Sequence, residues 1–146
     1  MRSWLVGFFL VSALTMNLQA QERLINPGPG TPERKAILDA VRPAVEQKLK
    51  GEVVFVVNEI RVYKNWAFVM ADPQRKDGKR FDSVRLFGKE TSQMMDGLGV
   101  TALLQRKGSQ WVLFEHGLGA TDLWYSSYCD DNVRKVPKEV LGVCPS

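Results

Sequence analysis

The sequence predicts an α+β fold: an N-terminal helix packed on a curved antiparallel sheet of about four strands, with a disulfide-pinned C-terminal segment. Three observations predict it. Ile37, Val41, Val45 and Leu49 recur every four residues, the spacing of one helix face. Two pairs of β-branched and aromatic runs follow, each joined by a connection too short for a crossover, so each reads as an antiparallel hairpin. Cys129 and Cys144 then bracket the last stretch of the chain.

The helix is bounded by its own signals. Thr31 suits the N-cap, Pro32 the first helical position and Glu33 the positive end of the helix dipole. Gly51 supplies the expected stop. Pro43 lies inside and removes one backbone donor, which predicts one bent helix or, alternatively, two short ones. Val53 to Val57 and Ile60 to Tyr63 form one long strand with a bend or bulge at Asn58-Glu59. Lys64-Asn65 turns the chain into a second strand, Trp66 to Ala71, which Asp72-Pro73 is expected to end. Asp77-Gly78 marks a tight turn in a charged loop. Phe81 to Phe87 reads as a short edge strand and Gly88 to Gly99 as loop. Val100 to Arg106 and Gln110 to Glu115 make the second hairpin around Lys107-Gly108-Ser109. Thr121-Asp122 can cap a short helix running to Tyr128, and Val136 to Leu141 can form another, stopped by Gly142.

Residues 1–20 read as a cleaved secretory signal peptide, 21–30 as a flexible leader rich in proline and glycine, and 31–146 as one domain. Arg2 precedes the apolar run Trp4–Leu14, and Leu18-Gln19-Ala20 fits a cleavage site after Ala20. The apolar run is about half the roughly 20 residues a spanning helix needs. No stable membrane insertion is expected after cleavage, and the mature chain is expected in the periplasm or fully secreted. Of the 20 basic residues, removing Arg2 leaves 19 against 16 acidic ones, a net charge of +3. That is too weak a balance to indicate a nucleic-acid partner. An even pair of cysteines in an exported chain reads first as a disulfide, here Cys129 with Cys144. A closed loop of this size contributes roughly 3 kcal/mol.

Chemistry-bearing motifs are sparse. His116, the one histidine, pairs on paper with Glu115, Asp122, Ser126 or Ser127 for hydrolysis, yet no G-x-S-x-G elbow accompanies it. An exposed or hydrogen-bonded strand-end histidine is the plainer account. Asp130-Asp131-Asn132 lacks the spacing and the later Glu of a calcium loop and reads as a solvated turn, so no metal is expected. No cofactor motif is present, and no cofactor is expected. Trp124, Tyr125 and Tyr128 cluster beside Cys129 and offer either a recognition surface or core, whereas Trp66 and Trp111 read as core. Arg75, Lys76, Lys79 and Arg80 form a basic loop able to steer an anionic envelope component or an acidic protein face.

Leu38-Asp39-Ala40 with Arg42 and Val45, then Trp66-Ala67-Phe68-Val69 with Ala71 and Gln74, resemble a group of uncharacterised small bacterial exported proteins. Ala102-Leu103-Leu104, Trp111 and Gly119-Ala120-Thr121-Asp122 with Trp124 extend the resemblance over most of the mature chain, although members often carry proline where Ala120 stands. The resemblance implies a helix-plus-sheet domain and no established activity, and it brings no catalytic residues. Helix-plus-sheet domains of this kind include the cystatin-like and nuclear-transport-factor-2-like architectures, which host both enzymes and binders. The expectation is therefore a non-catalytic exported binding or accessory protein, such as an inhibitor or immunity-type module. Arg75, Lys76, Lys79, Arg80, Trp124, Tyr125 and Tyr128 are its candidate contacts. A small pocket hydrolase using His116 with Asp122 or Glu115 is the alternative.

Overall fold

A computed structural model of the protein describes residues 23–130, 132–133 and 136–145. The expected signal peptide and its cleavage site lie outside the described residues, as does Asp131.

Helix α1 spans Pro32–Leu49. The Thr31 hydroxyl accepts the Arg34 backbone N–H at 3.4 Å and donates to the Gly28 carbonyl at 2.8 Å, so the cap is the one the sequence signals. Ile37, Val41, Val45 and Leu49 are all buried. The helix runs unbroken through Pro43. An interior proline costs about 3 kcal/mol, while burying each of four aliphatic side chains returns roughly 1.5–3 kcal/mol, so the buried stripe decides. The stop differs from expectation. Lys50, not Gly51, takes the left-handed conformation (φ 53°), and its N–H donates to the Glu46 carbonyl.

Strands β1 (Val53–Tyr63), β2 (Trp66–Arg75), β3 (Val100–Lys107) and β4 (Gln110–Leu118) form one antiparallel meander in the order β1-β2-β3-β4. A bulge falls between Val57 and Glu59, where Asn58-Glu59 anticipates it. Strand β2 continues through Pro73 to Arg75, past the expected end at Asp72-Pro73. The last β2–β3 pair is Ala71 with Val100, so residues 72–75 pair with β1 alone. Proline is admissible there because the β2–β3 ladder needs no donor from it. The outer edge of β1 is capped near both ends. The Val53 N–H donates to the Glu46 carboxylate at 3.0 Å and its carbonyl accepts from Arg42, while Val62 exchanges two backbone bonds with Ile25. Such caps limit the stretch of edge open to other chains.

Two further expectations are corrected between the hairpins. Residues 81–87 contain helix α2 (Ser83–Phe87) rather than an edge strand, and helix α3 (Lys89–Met94) occupies the expected loop. The Asp82 carboxylate caps α2 by accepting the Arg85 N–H at 3.0 Å. Phe81, Leu86 and Phe87 turn onto the core beside Leu98, a helix-period contact that the apolar composition alone did not separate from a strand. After β4 a 3-10 turn covers Trp124–Cys129, beginning at Leu123 without a side-chain cap, so Thr121-Asp122 does not start it. Helix α4 (Lys138–Leu141) ends at Gly142 in the left-handed conformation (φ 68°), as its sequence signals.

Alternation along the strands sorts the core onto both faces of the sheet. Ala67, Val69, Ala71, Val100, Ala102 and Leu104 lie under α1. Their neighbours Trp66, Phe68 and Leu103 face the other way and are covered by Tyr125, Val136, Val140 and Leu141. Within this second cover the sulfur atoms of Cys129 and Cys144 stand at disulfide distance, 2.05 Å. Arg61 ties the cover to the sheet. Its guanidinium donates to the Leu141 carbonyl at 2.8 Å, lies 4.6 Å above the Phe68 ring and pairs with Glu59 at 3.2 Å. Among the described residues no helix is long and apolar enough to cross a membrane.

Candidate functional site

The sheet separates Glu115 from His116, one of the two pairings of the hydrolase alternative. Glu115 pairs in register with Leu103 and His116 with Ala102, residues of the two opposite core clusters. The carboxylate therefore faces the C-terminal cover, where it accepts a hydrogen bond from the Tyr128 hydroxyl. The imidazole faces the α1 side, half-buried, with its Nε2 lacking a hydrogen-bond partner among the described residues. Burial pushes the His116 imidazole below its ordinary value; the Lys48 charge adds to this, and Glu115 acts in the opposite sense. Asp122 lies beyond β4 and lines a cavity of about 300 Å³ with Asn58, Thr101 and Tyr125. Ser127 donates to the Trp124 carbonyl within the 3-10 turn. A strand-neighbour pair cannot act as a catalytic dyad when alternation sends its side chains to opposite faces. Among the described residues no group of three His, Cys, Asp or Glu side chains is placed to hold a metal ion. The Asp130 carboxylate accepts the Asn132 backbone and side-chain N–H groups at 2.9 Å each, closing a local turn.

The aromatic candidates divide. Tyr125 is 3% exposed, its ring 4.8 Å from Phe68, so it belongs to the core, although it also lines the cavity at Asp122. Trp124 and Tyr128 are partly buried against the same cluster. The Trp124 indole N–H donates to the Thr101 hydroxyl at 2.7 Å, and the Tyr128 ring stands edge-on to Phe114 at 5.8 Å. Their polar tips are engaged within the protein, which is how a small fold accommodates aromatics around a disulfide. Trp66 and Trp111 are buried on opposite faces of the sheet, in keeping with a core role.

The basic loop has a different setting. Arg75, Lys76 and Arg80 line a cleft of about 760 Å³ at the end of the sheet, with Lys50 from the end of α1 and Arg85 from α2. Leu49, Phe81 and Leu86 supply its apolar floor. Part of the charge is neutralised locally. Arg75 pairs with Asp77 at 3.5 Å and Lys76 with Glu52 at 2.8 Å, while Asp82 is occupied as the α2 cap. Lys79 contributes its backbone, donating to the Asp77 carboxylate at 3.0 Å and accepting from the Arg75 N–H at 2.9 Å. Lys50, Arg80 and Arg85 have no ionic partner among the described residues. The cleft thus combines three cations without ion-pair partners, against the one unpaired carboxylate of Asp82, with an apolar floor, at a volume within the range of ligand sites.

Sequence reasoning located Arg75, Lys76, Lys79 and Arg80 but missed Lys50 and Arg85 and the apolar floor. The one available signal was Asp82, an N-cap residue type ahead of an apolar stretch, which would start a helix carrying Arg85. Compared with known proteins, the chain matches no family model, no curated protein and no solved structure.

Proposed function

We propose that this chain is a non-catalytic binding module of the cell envelope, exported through residues 1–20, that takes an anionic ligand in the cleft between the end of the sheet and α2. One observation carries the reading: Lys50, Arg80 and Arg85, without ionic partners among the described residues, line one cleft with Leu49, Phe81 and Leu86. Cations left uncompensated at a concave, partly apolar site raise the local concentration of anions and speed their capture. Both faces of the sheet carry core clusters, which favours an end-of-sheet site over the open sheet-face pocket of cystatin-like or nuclear-transport-factor-2-like architectures. The disulfide-distance pair Cys129–Cys144 is compatible with an oxidising compartment. The separation of Glu115 from His116 weighs against the hydrolase that pairs those two residues.

The test uses the mature, oxidised protein and a fluorescent oligoglutamate peptide at low ionic strength. Saturable binding is expected, weakening as salt rises through the range where the Debye length falls from about 30 Å to about 10 Å. The Arg80→Glu/Arg85→Glu variant is expected to bind at least about tenfold more weakly. Equal binding by that variant, or no saturable binding by the native protein, refutes the assignment.

A further inference from the structure

The basic cleft does not end at Arg80. Arg80 and Phe81 also line a second cavity of about 440 Å³, whose other walls include Val56, Pro73 and Leu98. That second cavity in turn shares Asp72, Asp96 and Gly99 with a third of about 300 Å³, which reaches Asp122. The first and third share no lining residue, so the three lie in series, and the middle one sets Val56, Pro73, Phe81 and Leu98 between Arg80 and the carboxylates of Asp72 and Asp96. The chain of cavities follows from the fold. Strand β2 outruns β3 by the segment 72–75, and residues 96–99 and α2 flank the step this leaves.

The series is electrically polarised. At one end stand Lys50, Arg80 and Arg85, without ionic partners among the described residues. Toward the other stand Asp72 and Asp96, which line both the second and the third cavity, and Asp122 in the third, all exposed and likewise without cationic partners among the described residues. Asp72 accepts only an uncharged amide, from Asn58 at 2.9 Å. Between the two ends Val56, 45% exposed, offers apolar surface to the middle cavity.

We infer that the ligand of the cleft is an extended polypeptide segment with carboxylates at one end, apolar side chains in its middle, and lysine or arginine at the other end. This rests on the reading of the cleft as an anion site and narrows it. A uniform polyanion long enough to fill all three cavities would bring negative charge onto three uncompensated carboxylates, and like charges brought together on docking are costly. A short anion would leave the apolar surface of Val56, Pro73 and Leu98 and the carboxylates beyond it unused. A peptide with segregated charge matches every part of the series, and its orientation is fixed by the polarity of the groove.

The experiment compares two labelled peptides by fluorescence anisotropy: one with a glutamate block, an apolar middle and a lysine block, and one with alanine in place of the lysine block. Oligoglutamate serves as the reference. Native protein is expected to bind the first about tenfold more tightly than the second, the sum of two or three exposed ion pairs of modest strength. The Asp96→Lys/Asp122→Lys variant is expected to lose that preference while binding oligoglutamate at least as well as the native protein. Asp96→Asn/Asp122→Asn, which adds no charge, is expected to lose most of it as well. If the lysine block adds nothing, or both variants keep the preference, the polarised groove is refuted while the anion site stands. If oligoglutamate also fails to bind, both fall together.

Discussion

Gly142 shows how one residue's requirement is set by a partner distant in sequence. Its φ of 68° is left-handed, and a Cβ built there would stand 1.9 Å from Arg61 Nη1. Gly108 has a similar φ of 62° with nothing within 4 Å. Alanine at Gly108 is therefore expected to cost only the left-handed penalty, about 1–2 kcal/mol. Alanine at Gly142 is expected to cost about 2 kcal/mol beyond that, because the Arg61 guanidinium must leave both the Leu141 carbonyl and the Phe68 face. Urea denaturation of the two variants checks this, and equal losses would show that Arg61 gives way freely. His116 supplies a second expectation. Its imidazole is held below the ordinary 6.5 by burial first and Lys48 second. As pH falls below about 6.5, the unfolded chain takes up a proton that the folded chain resists, so stability is complete above that value. It declines until the depressed folded value is passed. His116→Gln is expected to flatten that slope; an unchanged slope would assign it to other groups. Asp39 is held below its ordinary 3.8 chiefly by its hydrogen bond to Lys35, so any effect from it lies in a more acidic range. The Thr31 cap and the cysteine pairing were legible from residue type and spacing. The partner that crowds Gly142 was not, because it sits on β1.

At the scale of elements, periodicity identified what periodicity can. Helix α1 and both hairpins were legible because Ile37 to Leu49 keep one helical face and the strand runs are dense in β-branched residues. Residues 81–87 were misread because Phe81, Val84, Leu86 and Phe87 suit either period over so short a window, and the Asp82 cap resolves the choice only once Arg85 is seen to donate to it. The early end assigned to β2 failed because proline is excluded by a ladder partner, and no β3 residue pairs beyond Ala71. The C-terminal cover is the element most exposed to test. Cys129 and Cys144 both lie within it, so their bond closes the cover on itself, while Val140 and Leu141 dock it on Phe68 and Leu103. The Cys129→Ser/Cys144→Ser variant is expected to lose about 3 kcal/mol of stability. Its amide exchange is expected to accelerate over residues 123–145 before it does so in β2 and β3. Uniform acceleration would mean that the cover and the sheet open as one unit.

At the scale of the molecule, opposed layers share one sheet: α1 covers the first face and the disulfide-bearing segment the second. That arrangement moves the concave surface to the end of the sheet, where strands of unequal length leave a step and short helices wall it. The net charge of +3 expected for the mature chain gave no hint of this, because a whole-chain sum averages the cationic cleft against the carboxylates at the far end of the groove. The peptide comparison proposed above belongs to this scale: it reads the polarity of three cavities together, which no single substitution reports.

By itself the sequence determined helix α1, the hairpins, the bulge, the Thr31 cap, the Gly142 stop and the pairing of the two cysteines. Each depends on residues close together along the chain, or on a choice with one sensible answer. Only the tertiary structure decided which face each strand residue serves, that Tyr125 is core, that Glu115 and His116 point apart, and that Lys50 and Arg85 join the basic loop. Those outcomes depend on register and on which strand outruns its neighbour. A shift of one residue in pairing exchanges the two faces of a sheet, so contacts of this kind are fixed by packing and are not written in local spacing.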